Sequence, residues 1–223
     1  MKVMILAAGR GERMGALTDS CPKPLLEVAG KPLIEHHILA LKAQGFSEFV
    51  INVAYLGQQI IDNLGSGQRW GVDIAYSDEG SDALETGGGI NNALPLLGDD
   101  HFLVVNADVW MDYPFARLRN QVAKQVHLVL VPNPQHHLSG DFTLSNGDLL
   151  ADGAEKYTYS GIGVYHPSLF DGRCSGKFPL APIIRQAIQR GQATGELYDS
   201  LWVDVGTPER LAEAENQLKV NQD

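Results

Sequence analysis

The chain has 223 residues, 44% of them hydrophobic and 20% charged, and its formal net charge at neutral pH is -10. Such a chain can bury a sizeable core, and its negative charge argues against nucleic acid or an anionic membrane as a partner. Cys21 and Cys174 are too few for a disulfide framework and are typical of a reducing compartment. No apolar run has the length of a membrane span or the form of a signal peptide, so we expect a single-domain cytoplasmic enzyme.

The first element is an apolar strand, Val3–Leu6, which opens into a turn of small residues at Ala7–Gly11. In such a turn the backbone can approach a ligand closely, and its N–H groups can point at phosphate oxygens. Up to residue 31 the chain has five cations against three acids, although the whole protein is acidic. Arg10, Arg13 and Lys23 therefore predict a polyphosphate site, and a solvated basic loop is the alternative.

Strands and helices then alternate along the chain. Strands are predicted at Phe49–Val53, Val72–Tyr76, Phe102–Val105 and Val126–Val131, and helices at Pro32–Gly45, Leu56–Leu64, Ile90–Leu97 and Phe115–Val122. This alternation predicts a mostly parallel, doubly wound (Rossmann-like) α/β sheet with helices on both faces. Ligands of such sheets bind beyond the carboxyl ends of the strands. The Ala7–Gly11 turn and the segment Asn106–Asp108 both follow strands, so we expect them at one edge.

The pattern changes beyond residue 131. Asn146-Gly147 between two short apolar segments predicts a β-hairpin, and a further strand is predicted at Tyr157–Tyr165, a helix at Ile183–Ile188, and a last strand at Leu201–Val205 before a helix from Pro208. We expect residues 1–131 to form a nucleotide-binding core. Residues 132–200 would be a β-rich insertion covering the ligand edge of the sheet, and residues 201–223 would add a closing strand and helix.

Two aspartates each close an apolar strand, Asp108 after the strand at Phe102–Val105 and Asp204 after Leu201-Trp202-Val203. A magnesium ion bound to a nucleotide takes one or two carboxylates besides phosphate oxygens and water. The pair therefore predicts a magnesium site. Either aspartate alone is equally well explained as a turn or helix-capping residue.

Other candidate motifs are weaker. The histidine pairs His36-His37 and His136-His137 lack acidic or cysteine partners at metal-ligand spacing, so we assign them to a helix surface and a loop. No Walker loop is present, and the dinucleotide fingerprint fails because Met14 stands where its third glycine belongs.

Several segments, taken in chain order, resemble the signature of the sugar-1-phosphate nucleotidyltransferases. They are Leu6-Ala7-Ala8-Gly9-x-Gly11-x-Arg13-Met14, Lys23-Pro24-Leu25, Gly30-Lys31-Pro32-Leu33, Asn106-Ala107-Asp108-Val109, Ser160-Gly161-Ile162 and Trp202-x-Asp204-x-Gly206-Thr207-Pro208-Glu209. The resemblance implies that a sugar 1-phosphate attacks the α-phosphorus of a nucleoside triphosphate and pyrophosphate leaves. Within the family, the short chain and its Gly-Arg-Gly-Glu-Arg-Met segment look like members that use UTP and an N-acetylated hexose 1-phosphate. Mg²⁺ is the implied cofactor, in a monomer or small homo-oligomer.

The family pattern also implies roles for individual residues. Arg13 would hold the triphosphate, Lys23 would contact the α-phosphate and the sugar phosphate, and Asp108 and Asp204 would hold magnesium. The other implied nucleotide contacts are Ala8, Gly9, Gly11, Glu12, Thr86 and Gly87, and the implied sugar contacts are Asn106, Gly140, Glu155, Ser160 and Gly161.

The sequence departs from the family pattern in two segments that bear on the nucleotide. Glu12 stands where the family usually has Thr or Ser, and we expect it to pair with Arg13 or Arg10. Leu84-Glu85-Thr86-Gly87 replaces the common Leu-Gly-Thr-Ala, in a segment of small residues that we expect to be a loop before the helix at Ile90. A flexible turn capped by Thr86 is the simpler interpretation of that segment.

Three alternatives remain open at this stage. The same chemistry could use another substrate pair, such as GTP with mannose 1-phosphate or dTTP with glucose 1-phosphate. A non-catalytic nucleotide-binding regulator could keep the fold without turnover, although it would not need both Asp108 and Asp204. A redox enzyme would bind a dinucleotide without magnesium.

Overall fold

A computed structural model describes residues 1–120 and 124–220 of the chain. Its strands are β1 Val3–Leu6, β2 Glu27–Val28, β3 Lys31–Pro32, β4 Glu48–Val53, β5 Asp73–Asp78, β6 Phe102–Asn106, β7 Val109–Met111, β8 Val126–Val131, β9 Thr143–Ser145, β10 Asp148–Leu150, β11 Thr158–Tyr165, β12 Ala193–Leu197 and β13 Trp202–Asp204. Its α-helices are α1 Leu33–Ala43, α2 Gly57–Leu64, α3 Glu85–Leu97, α4 Ala181–Gln189 and α5 Pro208–Val220. Short 3-10 helices occupy Glu12–Thr18, Lys23–Leu25, Gln68–Trp70, Phe115–Asn120 and Pro167–Phe170.

Nine strands form the central sheet, in the order β5-β4-β1-β6-β11-β8-β12-β10-β9. All of them except β10 and β11 run in the direction of β1. The prediction of a mostly parallel α/β sheet is therefore confirmed. The β-rich part predicted for residues 132–200 joins this sheet through β9 to β12, and the expected hairpin forms with Asn146 and Gly147 both at positive φ.

Helices cover both faces of the sheet, as the alternation along the chain predicts. Val3 and Ile5 of β1 pack into a core that includes Ile38 of α1, whereas Met4 belongs to a second core with Ile90 of α3. Successive residues of a strand point to opposite faces, so one short apolar strand contributes to both cores. Strand β1 is therefore buried on both faces of the sheet, and this burial fixes the position of the loop that follows it.

The start of α3 differs from the prediction. The segment before Ile90 was expected as a loop, but it forms the first turn of a helix that begins at Glu85. A Cβ on Gly87 would lie 2.6 Å from the Phe178 ring, and one on Gly88 would lie 2.2 Å from the Gly176 carbonyl oxygen. These glycines are therefore needed for close packing, and that packing outweighs the cost of about 1 kcal/mol that each glycine adds in a helix.

Two further differences concern the middle and the end of the chain. The helix predicted at Phe115–Val122 is a 3-10 helix ending at Asn120, and Val122 lies outside the described residues. Strand β12 was not predicted, because its sequence Ala-Thr-Gly-Glu-Leu lacks the apolar run that marks the other parallel strands. Within the ranges that the structure describes, no helix has both the length and the apolar character needed to cross a membrane.

Candidate active site

The small-residue turn after β1 lies at the carboxyl edge of the sheet. Its first residue is tied to β4, since the Ala7 N–H donates to the Asn52 side-chain oxygen at 2.7 Å. Gly11 has a left-handed backbone (φ 71°), and a Cβ there would lie 3.1 Å from the Cβ of Lys23. The glycine thus permits both the turn and the close approach of the lysine.

Lys23 is the buried cation of the site. Its ammonium donates to Asp108 Oδ2 at 2.6 Å, and its side chain is 9% exposed. A buried ammonium needs a counterion, and the carboxylate after β6 supplies it. The lysine expected to bind phosphate and an aspartate expected to bind magnesium are therefore in direct contact.

Asp204 reaches the same place from the far end of the chain. Strand β13 pairs antiparallel with β7, with Asp204 opposite Val109, and the Val205 N–H donates to the Asp108 carbonyl at 2.8 Å. Arg210 donates to Asp204 Oδ2 at 2.7 Å, and His136 Nε2 lies 3.5 Å from that oxygen. Both predicted metal ligands are thus beside each other in the fold, each held by a cationic partner.

Three adjacent cavities meet at Asn106. The loop cavity is lined by Ala8, Gly9, Lys23, Thr86, Asn106 and Asp108, among others. The aspartate cavity is lined by Arg13, Asn106, Asp108, Ser160, Gly161 and Asp204 with His136 and His137. The α4 cavity is lined by Thr86, Asn106, Asp141, Tyr159, Leu180 and Arg185, among others. Asp108 is shared by the loop and aspartate cavities, so those two open onto one another.

Most of the predicted site residues line these cavities, but five do not. Among the described residues, Gly11, Glu12, Gly87, Gly140 and Glu155 are absent from the linings of all three cavities. Gly11 supports the turn, as described above, and Gly87 packs against Phe178.

Gly140, expected in the hairpin, and Glu155, expected beside Ser160 and Gly161, were predicted to contact the sugar but contact other parts of the protein instead. Gly140 has a positive φ of 58° and fits against Asn133 and Lys156. Glu155 is exposed, and its carbonyl oxygen accepts a hydrogen bond from the Thr143 hydroxyl at 2.7 Å. Motif order alone placed both residues near the sugar, and neither of them lines any of the three cavities.

Glu12 is exposed and makes no ion pair with Arg10 or Arg13 in the part of the chain that the structure describes, so the expected pairing is wrong. Arg10 lies over the Tyr55 ring, 5.1 Å from its centroid. Arg13 lines the aspartate cavity, and no carboxylate within the described ranges forms an ion pair with it. A positively charged side chain is therefore available to an anion bound there.

The bulge in β11 brings Ser160 and Gly161 to the site. Gly161 has φ 88°, and a Cβ there would lie 2.8 Å from Nδ2 of Asn106. Ser160 is fully buried, and its carbonyl accepts from Trp202 Nε1 at 3.0 Å. The glycine lets the shared Asn106 side chain approach the strand, and Trp202 ties the strand to β13.

The histidine pair at residues 136–137 was missed as part of the site. Both residues line the aspartate cavity, and His137 Nε2 lies 3.1 Å from Asp141 Oδ1. Asp141 Oδ2 in turn accepts from the Tyr159 N–H at 2.8 Å. The acid four residues after His137 was a sequence signal for this contact, whereas Asp204, the partner of His136, is distant in sequence and could not be found in this way.

His37 is a further histidine with a specific environment. It is buried in α1 beneath the segment that carries Asp108, and burial lowers its pKa to about 4. The imidazole is therefore neutral at physiological pH. Its partner in the pair, His36, lies 2.8 Å from the Val28 carbonyl oxygen, as a structural residue would.

The donor set fits a magnesium ion that arrives with a nucleotide. Carboxylate oxygens from Asp108 and Asp204 line one cavity and are the ligands that Mg²⁺ prefers. No group of three or more His, Cys, Asp or Glu residues in the described ranges could hold a metal without further ligands. Phosphate oxygens and water would have to complete the coordination.

Comparison with known proteins identifies the class of this chain. Its fold is shared with a Bacillus anthracis structure assigned as a glucose-1-phosphate thymidylyltransferase, with a TM-score of 0.84, 23% identity, and coverage of 97% of this chain and 94% of that one. Residues 2–140 match the model of the nucleotidyl transferase family. The chain belongs to that family and is a nucleotidyltransferase.

Two relatives match over nearly their whole length. The N-acetylmuramate alpha-1-phosphate uridylyltransferase of Neisseria meningitidis is 50% identical over 224 residues, covering 96% of this chain and 97% of the relative. The protein of the same name from Caulobacter vibrioides is 35% identical, covering 96% of each chain. The similarity therefore includes the hairpin, α4 and β13 as well as the Ala7–Gly11 turn.

Proposed function

We propose that this protein transfers UMP from UTP to N-acetylmuramate 1-phosphate, with Mg²⁺ as cofactor, giving UDP-N-acetylmuramate and pyrophosphate in cell-wall recycling. The main support for this substrate pair is the 50% identity, over nearly the full length of both chains, to a relative named as an N-acetylmuramate alpha-1-phosphate uridylyltransferase. The meeting of the loop and aspartate cavities at Asn106 and Asp108 supports two substrates that bind side by side.

The reaction needs charge neutralisation more than proton transfer. An oxygen of the sugar phosphate attacks the α-phosphorus, and the bond from that phosphorus to the bridging oxygen of the β-phosphate breaks as pyrophosphate leaves with the electron pair. The nucleophile is already anionic, so no general base is required, and catalysis consists of positioning and electrostatic stabilisation. Magnesium bound at the phosphates would neutralise part of their charge.

The nucleotide would bind along the small-residue turn, with its phosphates directed to Arg13 and Lys23. Ala8 and Gly9 leave the turn open on the side of the loop cavity, and Thr86 faces the same cavity from α3. The Lys23 ammonium donates to Asp108. A magnesium–nucleotide complex would offer Asp108 a metal ion and Lys23 a phosphate, and these contacts would replace the one between the two side chains.

The sugar 1-phosphate would bind between the bulge of β11 and Asn106. We assign residues 1–131 to nucleotide binding, residues 132–200 to the sugar side and residues 201–223 to closing the site with Asp204. The protein would work in the cytoplasm as a monomer or small homo-oligomer, and its two free cysteines, Cys21 and Cys174, fit a reducing compartment.

Pyrophosphate release across a grid of substrates tests the proposal. UTP, GTP, dTTP, CTP and ATP are each combined with the 1-phosphates of N-acetylmuramate, N-acetylglucosamine, glucose and mannose, with Mg²⁺ and with EDTA. We expect the strongest signal for UTP with N-acetylmuramate 1-phosphate, lost in EDTA. A stronger signal elsewhere would contradict the substrate pair, and silence throughout from folded protein would contradict catalysis.

A further inference from the structure

The α4 cavity has a chemical character different from the two cavities beside it. Its walls include the apolar side chains of Phe142, Leu180 and Ile184, and it shares Asn106 with both neighbours and Tyr159 with the aspartate cavity. It therefore opens from the point where the sugar phosphate would react. A group attached to the sugar ring, rather than the phosphate itself, is what could enter it.

One cation, Arg185, stands among the residues that line this cavity. Its guanidinium carbon lies 5.4 Å from the centroid of the Phe142 ring, and Nη1 donates to the Ala151 carbonyl oxygen at 3.3 Å. Arginine has five N–H donors in a planar fork that matches a carboxylate. The ring and the carbonyl orient the guanidinium, and the contacts within the described chain leave several of its donors for a ligand.

Of the other cations near the reaction centre, two already have carboxylate partners and a third is expected to bind phosphate. Lys23 is paired with Asp108, and Arg210 with Asp204. Arg13 lines the aspartate cavity, where phosphates are expected. A neutral hexose has no charged group that a cation in the α4 cavity could bind. An acidic sugar, by contrast, would place an unpaired carboxylate in the cavity if that cation were absent.

We propose that Arg185 binds the carboxylate of an acidic sugar 1-phosphate and makes the enzyme select that substrate over the neutral sugar. The assignment rests on the proposed function, in which the sugar is N-acetylmuramate, an N-acetylglucosamine that carries a lactyl ether. The lactyl carboxylate would extend from the ring into the α4 cavity. Arg185 is thus a specificity residue, and it takes no part in the chemical step at phosphorus.

The acids around the cavity are compatible with this orientation. Both carboxylate oxygens of Asp141 are engaged, one by His137 and the other by the Tyr159 N–H. Glu85 is exposed at the first turn of α3 and also lines the loop cavity. Asp152, whose pKa is lowered mainly by its hydrogen bond to Lys156 and to a lesser extent by Arg185, is fully exposed and already paired with that lysine. The substrate carboxylate would therefore face the α4 side of the cavity.

The test compares two sugars that differ in the lactyl group alone. Steady-state constants are measured with UTP and either N-acetylmuramate 1-phosphate or N-acetylglucosamine 1-phosphate, for the wild type, Arg185→Ala, Arg185→Gln and Arg185→Lys. The matched control is Arg190→Ala, an exposed arginine at the end of the same helix. Arg185→Gln removes the charge but keeps an unbranched side chain with a polar end, and an apparent Tm for each variant checks the fold.

We expect Arg185→Ala and Arg185→Gln to raise KM for the acidic sugar about 10- to 100-fold, the loss of one charge-assisted contact. KM for the neutral sugar and kcat should change by less than about threefold, Arg185→Lys should restore part of the preference, and Arg190→Ala should behave as the wild type. An equal loss with both sugars, or an unchanged preference in Arg185→Gln, would overturn the role of Arg185 while leaving the proposed function standing. A wild type that preferred the neutral sugar would overturn both.

Discussion

At the scale of single residues, the site is organised by side chains of opposite charge that pair with one another. Lys23 is nearly buried and is held by Asp108, and Asp204 is held by Arg210 and His136. Unpaired buried charges cost several kcal/mol, so these contacts let the fold keep reactive groups away from bulk water. The same groups are those that we propose to bind the phosphates and the metal.

Replacing Lys23 by Ala should damage turnover more than folding, because the Asp108 carboxylate that loses its partner is 34% exposed and stays in contact with water. We expect kcat to fall about 100- to 1000-fold, because a cation is removed where negative charge develops during transfer. The steady-state rate of pyrophosphate release at saturating substrate measures kcat. Lys31→Ala, a change in the same basic segment but in β3, is the control and should keep kcat within about twofold. Unchanged kinetics in Lys23→Ala would remove the lysine from the active site.

His37 illustrates a buried group whose effect is on stability. Its pKa of about 4 is below the usual value of 6.5, so protonation favours the unfolded chain. The stabilisation is complete above about pH 6.5 and is lost as the pH falls towards 4, by up to about 3 kcal/mol. We expect His37→Gln to flatten the dependence of the free energy of unfolding on pH in this window.

Urea unfolding at intervals between pH 7 and pH 4 measures that dependence for the wild type, His37→Gln and the control His36→Gln. The control removes the neighbouring imidazole, whose Nε2 lies 2.8 Å from the Val28 carbonyl oxygen and whose charge lowers the pKa of His37 less than burial does. If His37→Gln and His36→Gln reproduced the wild-type slope equally well, the titration of His37 would not contribute to acid instability.

At the scale of elements, glycines from two segments that are both rich in small residues have different roles in the structure. A Cβ on Gly9 would have nothing within 4 Å, whereas one on Gly87 would lie 2.6 Å from the Phe178 ring. Gly9 lines the loop cavity and Gly87 does not. The lack of a side chain at Gly9 leaves space in the loop cavity, whereas the lack of a side chain at Gly87 leaves space for the Phe178 ring.

The two substitutions to alanine should separate these roles. Gly9→Ala should leave the free energy of unfolding unchanged within about 0.5 kcal/mol and raise KM for UTP about tenfold, through loss of close backbone approach to the nucleotide. Gly87→Ala should destabilise the protein by about 1 to 3 kcal/mol, as an overpacked contact does. Urea unfolding and UTP titration of both variants measure the two effects. A destabilised Gly9→Ala with normal KM would reverse the assignment.

These examples also mark what the sequence could predict. The strand, the small-residue turn and the strand-end aspartates are local patterns, and local patterns identified the fold class, Lys23 and the Asp108–Asp204 pair. The start of α3 depends on Phe178, which is distant in the chain, and a run of glycines has low helix propensity. No local sequence pattern indicates a role for Arg185 either. Its role depends on the α4 cavity, which Phe142 and Tyr159 line from other parts of the chain.

At the scale of the whole molecule, the site is closed by the last part of the chain. Strand β13 pairs with β7, and Val203 and Val205 pack with Val28 and Leu33 in a small core of their own. Backbone pairing and apolar contacts thus set the position of the Asp204 carboxylate. Because Asp204, the proposed metal ligand, is attached to a paired strand rather than to a loop, its position should survive the loss of its charge.

Asp204→Asn tests this separation of position from charge. The amide keeps the shape of the side chain but offers one oxygen without negative charge, so we expect the Mg²⁺ concentration for half-maximal activity to rise at least about tenfold. Thermal unfolding should shift little, since β13 keeps its pairing with β7. The control, Asp199→Asn, changes an exposed acid just before β13 and should leave the magnesium titration unaltered. A normal titration in Asp204→Asn would mean that Asp108 and the phosphates hold the ion alone, and that the closing strand serves to cover the site.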